Sequence, residues 1–227
     1  MALIFTPRTD LLARQVTLGV VLGVHLFAVA WYYYALPSYT RVGYMPEQPV
    51  PFSHALHIGQ LGMHCQYCHT HVAESPHSNV PTSETCMNCH NKQAVTGKIW
   101  AGIKPDSPYL SQVQESYARG NPVPWKRIHK VPDYVYFNHA VHVNRGVSCV
   151  SCHGQINEMP VVWHAKELSM GWCLNCHRAP SENLRPPSEV YNMTWVPPAG
   201  ESPRKIGESV KDRLQINPPQ TCQGCHR

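Results

Sequence analysis

The longest uninterrupted apolar stretch of the chain lies near its N-terminus, at Val16–Leu36. Its twenty-one residues contain one ionisable side chain, His25, apart from tyrosine hydroxyls. A helix of this length spans about 31 Å, which matches the hydrocarbon core of a bilayer. Arg8 and Arg14 lie on its N-terminal side, and four aromatic residues, 31–34, lie towards its other end. The pattern predicts one transmembrane helix, with the N-terminus cytoplasmic and the rest of the chain outside.

Two features of this stretch leave alternatives open. Residues 28–30, Ala-Val-Ala, resemble a signal-peptide cleavage site, but the apolar run continues past them, which favours a retained anchor. His25 suits either helix packing and hydrogen bonding or a direct role with a quinone or a proton, because ionisable residues inside membranes are functional by default.

After this stretch, hydrophobic periodicity is weak and proline is abundant, with 21 prolines against 4 phenylalanines. One helix is predicted from Ser107 to Gly120 and a second from Ser202 to a point before Asn217, each with a proline in its first turn. Proline-rich segments such as 195–200 predict extended chain. The expected fold is mostly irregular and of the small α type, with short helices and little or no sheet.

All ten cysteines fall into five copies of the pattern Cys-x-x-Cys-His, numbered here along the chain as motifs 1 to 5. This pattern is the attachment signature of c-type haem, in which both sulfurs form thioethers to the porphyrin and the adjacent histidine binds iron. The predicted attachment residues are Cys65, Cys68, Cys86, Cys89, Cys149, Cys152, Cys173, Cys176, Cys222 and Cys225. The predicted iron ligands within the motifs are His69, His90, His153, His177 and His226. The sequence therefore predicts a multihaem cytochrome c with five covalently attached haem c groups.

Other uses of paired cysteines fit less well. A tetrahedral zinc site needs two such pairs, and five pairs that each carry the same histidine do not divide into such sites. A thioredoxin-like dithiol is expected once, near a βαβ pattern. The formal net charge of +5 omits the cofactors, and roughly ten haem propionates would reverse its sign, so no nucleic-acid partner is expected.

The chain contains an internal duplication. Residues 52–69 and 137–153 share Phe-x-His-Ala-x-His followed by a motif, with one residue inserted in the first copy, and a second motif follows each. The offset stays near 85 residues, which indicates two dihaem units and a separate fifth site.

The predicted organisation has five segments. These are a cytoplasmic stub with the transmembrane helix (1–37), a first dihaem unit (38–98), a connecting segment with one helix (99–130), a second dihaem unit (131–178) and a proline-rich arm with the fifth haem site (179–227).

A surplus of histidines favours haems with both axial positions filled, since a catalytic haem leaves one position open. His54 and His57, and likewise His139 and His142, lie three residues apart and share one helix face, from which they can reach two neighbouring irons. They match a pattern that supplies ligands to two haems in small multihaem cytochromes resembling cytochrome c3. The other candidate distal ligands are His129, His164 and Met170.

The anchor, the two duplicated units, the strings HKVPDYVYFNHAVH and LSMGWCLNCHR and the C-terminal motif together resemble the pentahaem cytochrome c subunit of alternative complex III. The resemblance covers most of 51–178. It implies partners: integral membrane subunits that bind quinol, an iron–sulfur subunit, and a monohaem cytochrome or other periplasmic electron acceptor. It also implies location in the bacterial cytoplasmic membrane, with menaquinol oxidation on a partner and the haem domain periplasmic. Because the chain ends one residue after His226, the fifth haem is expected to rely on a neighbour for cover.

Two other functions are considered. A stand-alone anchored quinol dehydrogenase usually places a haem motif soon after its membrane helix, whereas nearly thirty residues separate Leu36 from Cys65 here. A pentahaem reductase of the nitrite type has the same haem count, but its active haem typically uses lysine in place of the motif histidine, and all five motifs here end in histidine.

Overall fold

The computed structural model describes residues 6–91, 93–95, 98–100 and 102–227, and it divides into two compact units. The first unit ends at Val42, and the second comprises Gly43–Arg227. Each is described by itself.

The first unit is dominated by one long apolar helix. Helix α1 spans Pro7–Ala35, and α2 spans Pro37–Thr40. Thr6 caps α1 by accepting a hydrogen bond from the Thr9 backbone N–H, and Pro37 ends it because proline cannot continue the backbone hydrogen-bonding pattern. The helix starts before the apolar stretch predicted from sequence, since its polar first turns are capped and Arg14 pairs with Asp10 at 2.9 Å. Within the described ranges, α1 is the one helix long and apolar enough to cross a membrane.

The second unit contains many short elements joined by irregular chain, as predicted. Its α-helices are α3 (Cys65–Cys68), α4 (Ser83–His90), α5 (Ser111–Arg119), α6 (His139–Asn144), α7 (Cys149–His153), α8 (Met170–Arg178), α9 (Pro203–Arg213) and α10 (Cys222–Cys225). A π-helix spans Ala55–Gln60, and single 3₁₀ turns span Pro108–Leu110, Ile156–Glu158, Pro180–Glu182 and Pro187–Glu189. Among the described residues, the sheet consists of one antiparallel pair, β1 (Gln93–Val95) with β2 (Lys98–Trp100), in which Ala94 pairs with Ile99.

Both predicted helices of this unit form. The first begins as the 3₁₀ turn after Ser107 and continues as α5, which ends at Gly120 in the left-handed conformation (φ 70°) that glycine adopts without strain. The second, α9, is capped by the Ser202 hydroxyl, which accepts from the Lys205 backbone N–H at 3.2 Å. It ends at Arg213, before Asn217 as predicted, because the chain turns there and Gln215 adopts a positive φ of 51°.

The apolar cores of the second unit are small. One centres on Val50, Met87 and Val113. A second joins Val72, Val143 and Val190, and a third joins Leu184, Ile206 and Val210. Among the described residues, three clusters of three buried residues are few for a unit of this size, so these side chains form little apolar core of their own.

The two duplicated halves pack on each other in a reciprocal way. The π-helix of the first half lies against the chain that follows motif 3, where the Ala55 N–H donates to the Met159 carbonyl at 3.0 Å. The α6 helix of the second half lies against the chain that follows motif 1, where the Ala140 N–H donates to the Ser75 carbonyl at 3.2 Å. Motifs 1 and 3 therefore lie at the junction of the halves.

Candidate haem-binding sites

Every motif lies on or at the end of a short helix, which places its two thiols on one face. Motifs 1, 3 and 5 form α3, α7 and α10, whereas motifs 2 and 4 form the C-terminal parts of α4 and α8. The Ser169 hydroxyl caps α8 by accepting from the Trp172 N–H at 3.2 Å. His64 caps α3, because its Nδ1 accepts from the Gln66 N–H at 3.3 Å. All ten cysteines are free thiols in this structure.

The thiols and histidines do not assemble into sites for a bare metal ion. In the part of the chain that the structure describes, no group of three or more His, Cys, Asp or Glu side chains converges on one ion position.

The duplicated Phe-x-His-x-x-His segments have nearly the same geometry in both halves. Phe52 is edge-on to His54, with ring centroids 4.9 Å apart and planes at 87°, and stacks on His57 at 4.3 Å and 24°. In the second half, Phe137 is edge-on to His139 at 4.7 Å and 85°. It stacks on His142 at 4.9 Å and 28°. The phenylalanine thus fixes the orientation of both histidine rings in each pair.

Six of the predicted ligands make the same hydrogen bond. In each, the ring Nδ1 lies 2.6–2.8 Å from a backbone carbonyl oxygen, and since a carbonyl only accepts, the nitrogen must donate. The pairs are His57 with Ser53, His69 with Asn79, His90 with Ile103, His139 with Pro76, His142 with Asn138 and His177 with Pro219. This bond leaves the lone pair on Nε2, as in most metal-bound histidines.

Three pairs of predicted ligand rings are separated by a distance that suits an iron between them. An imidazole nitrogen binds a metal at about 2 Å, so two rings on opposite sides of one ion have centres roughly 6 Å apart. His57 and His90 have ring centroids 6.3 Å apart, and the equivalent residues of the second half, His142 and His177, 6.2 Å. His139 and His153 are 6.4 Å apart. These residues fit haem that is ligated by histidine on both faces.

The first motif has a comparable neighbour. Burial lowers the pKa of His54 to about 4, and the proximity of His69 and then His57 lowers it further. The His54 Nδ1 is buried without a hydrogen-bond partner. In each half, the first histidine of the pair is therefore near the first motif and the second histidine is near the second motif.

The surroundings of His153 are the most crowded. Its pKa is lowered to about 3, chiefly by burial and then by His129, His139, His69 and His164. His129 lies edge-on to His153 with ring centroids 4.3 Å apart, and it stacks on the buried His164 at 5.2 Å. The spacing of 4.3 Å is too short to hold an iron between the two ring centres, so the geometry favours His139 over His129 as the partner of His153.

The fifth motif has a different neighbourhood. The His226 ring lies 5.6 Å from that of Tyr134 at 31°, and its backbone pairs with Val135. The ring of His129, a candidate distal ligand, contacts the rings of His153 and His164. Met170, also predicted as a ligand, begins α8 with its side chain 65% exposed.

Several residues that orient these sites were not singled out from the sequence. The carbonyl acceptors of the Nδ1 bonds are backbone atoms, which leave no signal in side-chain identity. Tyr191 contacts His64 at 4.9 Å, and its hydroxyl is buried between motifs 1 and 3. The phenylalanines of the duplicated segments carried a signal, because they recur at the same offset from the histidines.

Comparison with known proteins agrees with this geometry. The model of the family described as cytochrome c7 and related cytochrome c matches residues 50–106 and 135–227, which include all five motifs. The multiheme cytochrome c subunit of menaquinone reductase from Nitratidesulfovibrio vulgaris is 30% identical over 146 residues. The match covers 64% of this chain and 59% of that relative. With the family model matched over more than half of its length, the chain belongs to the cytochrome c7 and related cytochrome c family.

Proposed function

We propose that this chain is a membrane-anchored pentahaem cytochrome that exchanges electrons between a quinone-linked membrane complex and a periplasmic partner, as the cytochrome subunit of an alternative complex III type assembly. The observation that supports this proposal best is that motif histidines face distal histidines. In three such pairs, the ring centroids are 6.2–6.4 Å apart. Filled axial positions suit electron transfer rather than substrate binding at iron.

The proposed ligand set follows the ring geometry. All ten motif cysteines attach haem, and each motif histidine is one axial ligand. His57 faces His90, His142 faces His177, and His139 faces His153. His54 is proposed as the second ligand at motif 1, on the basis of its electrostatic proximity to His69. When bound, haem c supplies reversible one-electron Fe(III)/Fe(II) chemistry.

Location and partners belong to the same proposal. The length and apolarity of α1 support a single-pass anchor, with the second unit on the periplasmic side where c-type haem is attached. Quinone chemistry is assigned to integral membrane subunits, alongside an iron–sulfur subunit and a monohaem cytochrome or other acceptor. The relative is by its name a subunit of a menaquinone reductase, which supports a quinone-linked membrane partner for this chain.

The relative's name also favours a second direction of flow. A menaquinone reductase delivers electrons to the quinone pool, so this chain would carry electrons towards the membrane rather than away from it. The two directions share every haem ligand and differ in which partner is the electron donor.

The experiment is purification of the native complex through a tag on the C-terminal residue of this chain. In rapid mixing, a menaquinol analogue should reduce the haems of the complex, whereas the chain purified alone should stay oxidised. Rapid reduction of the isolated chain would support the stand-alone quinol dehydrogenase instead. Oxidation of prereduced haem by a menaquinone analogue, without reduction by menaquinol, would establish the reverse direction.

A further inference from the structure

We infer that the five haem sites form one unbranched series in space, in the order motif 2, motif 1, motif 3, motif 4, motif 5, which differs from their order along the chain. This inference rests on the proposed binding of five haems. Four junctions between neighbouring motifs carry it, and each stands on contacts of its own.

Motif 2 joins motif 1 through side chains that lie inside the two motifs. The amide Nδ2 of Asn88, from motif 2, donates to the hydroxyl of Tyr67, from motif 1, at 3.1 Å. This side-chain hydrogen bond places motifs 1 and 2 next to each other.

Motif 1 joins motif 3 at the junction of the two halves. Just after motif 1, the Ala73 carbonyl accepts from the Asn144 amide of α6 at 2.9 Å.

The proline-rich arm (179–227) also packs against this junction. Tyr191 packs on His64, the residue before motif 1, at 4.9 Å. The Ser148 hydroxyl, directly before motif 3, donates to the Val190 carbonyl at 2.9 Å. The arm therefore covers motifs 1 and 3 together, which requires these two motifs to be neighbours.

Motif 3 lies next to motif 4 because one helix, α6, carries the proposed distal ligands of both. His139 and His142 lie three residues apart on α6 and face His153 and His177, the histidines of motifs 3 and 4. Motif 3 therefore neighbours motif 4 on one side and motif 1 on the other.

Motif 4 joins motif 5 through the chain that leads into motif 5. The His177 Nδ1 donates to the Pro219 carbonyl at 2.7 Å, and the Gln220 amide donates to the His177 carbonyl at 3.4 Å.

Solvent exposure agrees with this order. Of the ten motif cysteines, the exposed ones are Cys89 and Cys222, which belong to motifs 2 and 5, the two ends of the series. These exposed ends are where the series would exchange electrons with its partners.

A high-spin iron placed at one motif reports its neighbours, because it broadens the magnetic resonances of adjacent low-spin haems. His57→Ala would place it at motif 2, and His142→Ala at motif 4, in the full-length holoprotein. The order above predicts that one of the remaining haem signal sets broadens in the first variant and two broaden in the second. In a series that follows the chain, motif 2 would have two neighbours, so two broadened sets in His57→Ala would overturn the inference.

The matched control is His71→Ala, since His71 is exposed and its Nδ1 bonds to the adjacent Thr70 hydroxyl. It should broaden no signal set. If neither test variant yields a high-spin haem, the proposed ligand set fails, and the order is then tested on the wild-type holoprotein by iron positions from anomalous diffraction. There, the iron of motif 1 should have the irons of motifs 2 and 3 as its nearest neighbours, and any other pair would overturn the order.

Discussion

Individual histidine side chains are held by bonds that sequence analysis could only partly anticipate. Spacing predicted that His54 and His57, and their duplicates, would share a helix face and reach separate irons. It did not predict that backbone carbonyls far away in sequence, such as those of Pro76 and Pro219, would fix the tautomer of ligands such as His139 and His177. Those acceptors depend on tertiary packing, which no local pattern encodes.

The role of His139 gives a test at a single side chain. Replacing His139 with Ala should convert one low-spin haem to high-spin, because the ring facing His153 at 6.4 Å is removed. Low-temperature electron paramagnetic resonance of the oxidised holoprotein would show the new high-spin signal, and the reduced variant should bind carbon monoxide. His71→Ala is the control and should do neither. An unchanged spectrum in His139→Ala would remove it from the ligand set.

Helices that carry strong capping signals were predicted well, and those without them were not. Helix α9 begins at a serine–proline start that can be read from the sequence, as α5 does after its 3₁₀ turn. The π-helix Ala55–Gln60 was not predicted, although its duplicate, α6, is an ordinary α-helix. The conformation of the first copy depends on its contact with the other half, where Gly59 meets the Asn157 backbone.

Helix α9 offers a test of packing between elements. A Cβ added at Gly207 would overlap the Ser181 backbone carbonyl, so Gly207→Ala should destabilise the fold by about 1–3 kcal/mol. Alanine is otherwise more favourable than glycine in a helix by about 1 kcal/mol. A net loss of stability in Gly207→Ala would therefore report the overlap with the Ser181 carbonyl. Thermal unfolding of the holoprotein, monitored by circular dichroism, measures this change in stability. Ser209→Ala, at an exposed position of the same helix, is the control, and equal stability of the two variants would contradict this packing.

Among its described residues, the second unit has little apolar core of its own. Its three apolar clusters each contain three buried residues, and all five haem motifs lie in this unit. The low phenylalanine and high proline content agrees with this sparse core. The reciprocal packing of the halves was not predicted, because it pairs Ala55 with Met159 and Ala140 with Ser75, which lie far apart in the chain and share no local pattern.

A chain deprived of haem should therefore fail to fold. Expression without the machinery that attaches c-type haem should give a protein with little cooperative unfolding and rapid proteolysis of Gly43–Arg227. The haem-loaded chain from the same expression host is the control. A sharp unfolding transition in the haem-free chain would show that side-chain packing alone is sufficient.

The long helix α1 should remain in the mature protein. Its apolar length predicts that the chain stays in membranes after alkaline extraction and that its intact mass includes the residues before Trp31. A mass that begins at Trp31, after the Ala-Val-Ala site, would instead identify α1 as a cleaved signal peptide.

The proposed function depends above all on five covalently attached haems. Intact mass of the denatured purified protein measures attachment directly, since thioether-bound haem survives denaturation whereas loosely bound haem is lost. The five motifs predict a mass increase equal to five haems. An increase equal to fewer haems, or to none with zinc released instead, would contradict this account.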